Sequence, residues 1–112
     1  MKAKVQVEPG ICNFAVLVRA IAEDNQNVTF EFKTTCDTIK EFAKRVEKVT
    51  PIDAIQSLSR AENPIMAIGR ELLCEKGCCE ACPVPAATLK VMQVATNLAL
   101  PLDVSLKITK EQ

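Results

Sequence analysis

The sequence predicts a single α+β domain: a mostly antiparallel sheet with helices packed on one face. Three observations predict it. Residues 2–8 and 28–34 alternate apolar and polar positions with the period of a strand. From residue 37 the apolar positions take helical spacing. A short alternating stretch, Val104, Leu106 and Ile108, returns near the C-terminus. The expected order is β-β-β-α-α-α-α-β, with the last strand parallel to its neighbour.

Each element has a local reason. Ala3, Val5 and Val7 share one side of a first strand, and Lys2, Lys4, Gln6 and Glu8 share the other. Pro9-Gly10 is a turn signal. Residues 14–23, FAVLVRAIAE, are apolar on both sides, as for a central strand covered on both faces. Asp24-Asn25-Gln26-Asn27 is a second turn. Val28, Phe30 and Phe32 then point inward from a third strand over residues 28–34.

Ile39, Phe42, Ala43 and Val46 mark the first helix. Thr38-x-x-Glu41 fits a capping box, with Asp37 as a competing cap. Pro51 is expected to open a short second helix ending near Leu58, and Asn63-Pro64 to cap a third that carries Ile65, Ile68 and Leu72 on one face. The fourth helix is expected from Val84 to about Leu98, with Val84, Ala87, Val91, Ala95 and Leu98 inward. Pro101 ends it, and the last strand follows.

Composition bounds the function. The chain has 112 residues, 48% apolar and 25% charged, enough for one real core without disulfide staples. Fourteen Lys and Arg balance fourteen Asp and Glu, and the four Phe are the whole aromatic content. No basic face or stacking platform results, so a nucleic-acid partner is not expected. MKAKVQVEPG lacks the apolar core of a secretory leader. The most apolar run, VMQVATNLALPL, is broken by Gln93, Asn97 and Pro101, so no membrane span is expected either. The expected location is the cytoplasm, where thiols stay reduced. A protein partner and a homo-oligomer are both left open.

The chemistry is in the six cysteines. With no histidine, neither imidazole ligands nor Ser-His or Cys-His catalysis are available. Cysteine in a reducing compartment then reads as metal ligand or reactive thiol. Four of the six stand within CEKGCCEAC, residues 74–82. Cys74, Cys79 and Cys82 have the C-x4-C-x2-C spacing of three ligands of a plant-type ferredoxin cluster. The bland alternative is a loop of incidental thiols. Cys82-Pro83-Val84-Pro85 places a thiol before a helix, where free N–H groups favour a thiolate. The four residues resemble the active segment of small sulfurtransferases of the TusA type, in which the cysteine follows a first strand. Plain helix initiation by proline is the alternative.

Cys12 and Cys36 add a third feature. If residues 14–34 form a hairpin about the 24–27 turn, paired positions sum to about 51 and Cys36 falls opposite about Ala15. Both thiols then reach the same end of the sheet. A last strand parallel to its neighbour brings the start of the fourth helix, and Cys82, to that end too. Glu75 and Glu80 stand in the cysteine loop, and solvent exposure is their expected role.

Pro9-Gly-Ile-Cys12, Cys36-Asp37, Ala81-Cys-Pro-Val-Pro85 and Ala99-Leu-Pro-Leu-Asp-Val104 resemble segments of a small family of short uncharacterised proteins from anaerobic bacteria and archaea, which carries a domain of unknown function. The resemblance implies single cysteines at Cys12, Cys36 and Cys82, with Cys74, Cys78 and Cys79 as additions, and it implies no activity.

Three readings follow. The first is an Fe–S cluster or Cys-only zinc held by Cys12, Cys36 and Cys82 with Cys79 or Cys74. The second is thiol redox or persulfide chemistry with Cys82 as nucleophile. The third is a structural or assembly subunit with inert cysteines. Whether the protein is an enzyme is not decided by the sequence.

Overall fold

The computed structural model of the chain describes residues 1–58 and 63–112, apart from the Cys78 side chain. The described residues form one four-stranded antiparallel sheet in the order β1-β2-β3-β4 and four helices. The α+β class is therefore the one expected.

Strand β1 (Lys2–Val7) pairs with β2 (Val16–Ile21), and β2 pairs with β3 (Asn27–Thr34). The alternation decides which side is buried. Val7, Val16, Val18, Ala20 and Val28 are fully covered, with Ala3, Val5, Phe30 and Phe32 packed beside them. The opposite row of β1 to β3 faces outward: Lys4 pairs with Arg19 and Arg19 with Glu31 across the strands. This corrects one expectation. β2 is covered on one side only, because every helix that touches the sheet lies on that side, and Leu17 and Ile21 are half-exposed. Apolar residues on an uncovered face are common, since polar atoms do not suffice to coat a protein surface.

The β2–β3 turn is held by Asp24. Its carboxylate accepts from the Gln26 and Asn27 backbone N–H groups at 3.0 and 2.8 Å and from Asn27 Nδ2 at 2.8 Å. Asn25 takes the left-handed conformation that a short amide side chain tolerates, with φ 59°. The register is Val16↔Thr34, so pairs sum to 50, one less than expected.

Helix α1 (Asp37–Val49) packs on β3 and buries Ile39, Phe42 and Val46. Phe42 meets Phe32 edge-on at 5.8 Å, a favourable geometry for two ring quadrupoles. Neither expected cap forms. The N-cap is Cys36, and it makes no side-chain capping bond. Beyond α1, Pro51 does not open a helix. Ile52–Asp53 forms a two-residue strand β4 against Asn27 and Val28, and α2 (Ala54–Leu58) starts only afterwards. Asp53 supplies the missing start signal by accepting from Ile55 N and Gln56 N at 3.0 and 3.1 Å.

Helix α3 (Pro64–Leu73) begins as expected, with the Asn63 side chain accepting from Ile65 N and Met66 N. It packs against α1 and α4. Helix α4 (Val84–Ala95) lies across β1 and β2. It ends one turn earlier than Leu98, where Thr96 closes the helix and Asn97 turns left-handed with φ 63°. No strand forms over Val104, Leu106 and Ile108: residues 98–112 are exposed throughout and lie in no helix or strand. The expected parallel last strand is thus absent, for want of any neighbour alongside this segment. Among the described residues, no helix is long and apolar enough to cross a membrane.

Candidate thiol site

The turn of residues 10–13 places Cys12. Gly10 takes φ 90°, which a residue with a Cβ rarely adopts, and Asn13 N donates to Gly10 O at 2.9 Å. Cys12 stands exposed on this turn between β1 and β2. Cys36 follows β3 at the same end of the sheet. There Thr34 Oγ1 donates to Ala15 O and accepts from Cys36 N, so the chain entering β2 and the chain leaving β3 are tied together.

Cys79 and Cys82 come from the segment between α3 and α4. Gly77, with φ 60°, opens a single 3-10 turn over Gly77–Ala81. Cys82 N donates to Cys79 O at 3.0 Å, which sets the two cysteines on one turn. Cys82 is extended and Pro83 caps α4. Cys36 and Cys82 both pack against the edge of the hydrophobic core.

Cys12, Cys79 and Cys36 are each near enough to Cys82 to act on its ionisation as lesser causes. Cys82 itself is pushed above the ordinary thiol range. Burial is the main cause, the three neighbouring thiols add to it, and the Val84 N–H opposes it. The helix start therefore does reach Cys82, but desolvation outweighs it, and the expectation of an easily ionised Cys82 is overturned.

Cys74 stands apart. It closes α3 as the C-cap, is exposed, and its thiol donates to Glu71 O at 3.7 Å. Cys12, Cys36, Cys74, Cys79 and Cys82 are all free thiols. The side chain of Cys78 lies outside the described residues. Glu75 and Glu80 are exposed, as expected. Among the described residues, no group of three or more potential ligands is placed to hold a metal ion.

The sequence pattern of a family of unknown function (DUF6951) matches residues 3–108, nearly the whole chain, and the chain belongs to that family. No curated protein and no solved structure matches it.

Proposed function

We propose that this DUF6951 member is a thiolate-ligated binding protein, in which Cys12, Cys36, Cys79 and Cys82 take up a zinc ion or an Fe–S cluster. What supports the reading is a donor set of cysteines in a chain that has no histidine, with Cys12 and Cys36 at one end of the sheet and Cys79 and Cys82 on one turn, near enough to act on Cys82. Thiolate-only sets suit zinc and Fe–S clusters above harder cations. A thiol ligand gives up its proton when a soft cation binds, so uptake is coupled to proton release.

Closing the site takes motion. Sulfurs that share a zinc ion at about 2.3 Å stand roughly 4 Å apart. The parts that would move are the exposed Cys12 turn and the 3-10 turn of Cys79; Cys36 and Cys82, seated on the core, are the fixed half.

A second reading has one observation in its favour, the position of Cys82 directly in front of α4. This arrangement suits a persulfide or a transient disulfide on Cys82. The rise in the Cys82 pKa counts against it at neutral pH.

Anaerobic purification followed by assay of metal, acid-labile sulfide and sulfane sulfur separates the two. The binding reading expects one metal ion or cluster per chain. Cys12→Ser, Cys36→Ser and Cys82→Ser should each abolish loading, and Cys74→Ser should leave it intact. Metal-free, sulfide-free protein that also fails to bind added Zn(II) would overturn it, and cyanide-releasable sulfur on Cys82 would establish the alternative.

A further inference from the structure

The last fifteen residues, LALPLDVSLKITKEQ, hold an unspent strand. Leu98, Leu100, Leu102, Val104, Leu106 and Ile108 occupy every second position and are exposed by 42%, 75%, 76%, 59%, 76% and 91%. Residues 103–112 make no hydrogen bond to the rest of the described chain. Six large apolar side chains in strict alternation form a strand pattern with one dry face, and a lone strand with such a face is not stable in water.

The same fold has an open edge. β1 pairs with β2 on one side and with nothing described on the other. Its inward row, Ala3, Val5 and Val7, runs along the border of the core beneath α4. An unpaired edge of this kind accepts a further strand.

We propose that residues 102–108 pair in parallel with the β1 edge of a second copy of this chain, and that two copies exchange these segments reciprocally. Parity fits: setting Val104 beside Val5 puts Leu102 beside Ala3 and Leu106 beside Val7, so all six face the core side. The same alignment puts Asp103 beside Lys4 and Lys107 beside Glu8, two opposite-charge pairs. The antiparallel alignment that pairs the same six residues sets Lys107 beside Lys2 instead.

The exit of the segment selects the second copy over the chain's own β1. The Leu98 and Ala99 N–H groups both donate to Gln93 O, at 2.8 and 3.2 Å, which locks the chain to the end of α4. Leu102 N then donates to Leu100 O at 2.9 Å in a tight turn about Pro101, whose φ is fixed, and residues 102–108 leave that turn exposed rather than alongside their own β1. The molecule measures 48 Å along one axis and 28 and 27 Å along the others. A stiff connection that keeps a strand off its own edge favours its exchange with a copy.

Sedimentation equilibrium of the reduced protein tests this. The expected mass is twice the 12.3 kDa of the chain, and a chain ending at Leu100 is expected to sediment at half that mass while keeping its far-UV circular dichroism. Lys107→Glu should weaken the dimer at least tenfold, and Glu8→Lys combined with Lys107→Glu should restore it. Hydrogen exchange should show the Val104 to Ile108 amides protected in the dimer. A monomer with those amides exposed overturns the pairing. A monomer with them protected means that the segment returns to its own β1, and overturns the exchange. A dimer that survives truncation, or no rescue by the double variant, overturns the proposed register.

Discussion

Gly69 marks the closest approach of α3 to α4. A Cβ there would stand 2.8 Å from Pro85 Cγ and 3.0 Å from Pro85 Cβ. A proline ring cannot rotate out of the way, so the helices must part. Gly69→Ala gains about 1 kcal/mol in helix propensity but meets an overpacking cost of roughly 1–3 kcal/mol. We expect a net loss of about 1 kcal/mol, read as a lower midpoint in urea unfolding; a midpoint above wild type would show that the contact relaxes freely. Cys82 gives a second expectation. Its raised pKa and half-burial should make it alkylate more slowly than exposed Cys12 and Cys74 at pH 7, with a labelling rate that climbs only above the ordinary thiol range. Peptide mapping after brief iodoacetamide treatment checks this, and first labelling at Cys82 would contradict it. The sequence showed that Cys82 stands before a helix. It could not show the desolvation, because that depends on which residues cover the sulfur.

Turns and helix ends tell a similar story at the scale of elements. The 24–27 turn was legible because Asp and Asn side chains bond their own backbone locally. Asp24 carries a pH dependence as a result. The Asn27 side chain, and then the backbone N–H groups of Asn27 and Gln26, lower its carboxyl from the usual value to about 2. A depressed folded pKa contributes stability that is present above the unfolded value near 4 and is lost as pH falls toward 2. Asp53, lowered chiefly by its bond from Gln26 Nε2, adds to the same window. Melting curves between pH 5 and 2 should fall less steeply for Asp24→Ala than for wild type, and equal slopes would remove Asp24 from the acid transition. Less was legible between residues 50 and 58. A two-residue strand such as β4 has no periodicity to read, and it exists only because Gln26 and Asn27 are beside it: Ala54 N donates to Gln26 O.

For the whole molecule, packing and association are the deciding quantities. The strand-exchange proposal makes apparent stability depend on concentration, because dimerisation draws the equilibrium away from the unfolded chain by mass action. We expect the melting midpoint to rise over a hundredfold increase in protein concentration, and the chain ending at Leu100 to show no such rise. A constant midpoint for both would contradict the exchange. The same scale explains the sheet. The alternation in β1 and β3 predicted two distinguishable sides, whereas β2, apolar on both, was expected to be covered on both, and the placement of the helices on one side only left its outer row uncovered.

The sequence by itself determined the α+β class, the three-strand meander, the start of α3 at Asn63-Pro64, and the arrival of Cys12 and Cys36 at one end of the sheet. Each of these rests on period, turn chemistry or antiparallel pairing, all set by residues near one another along the chain. Only the tertiary structure decided that Cys79 and Cys82 share one turn while Cys74 stays at the close of α3, that burial outweighs the helix start at Cys82, and that the strand pattern of residues 102–108 finds no strand partner among the described residues of its own chain. Those outcomes depend on which surfaces meet, and desolvation and strand pairing are properties of that meeting rather than of any local run of residues.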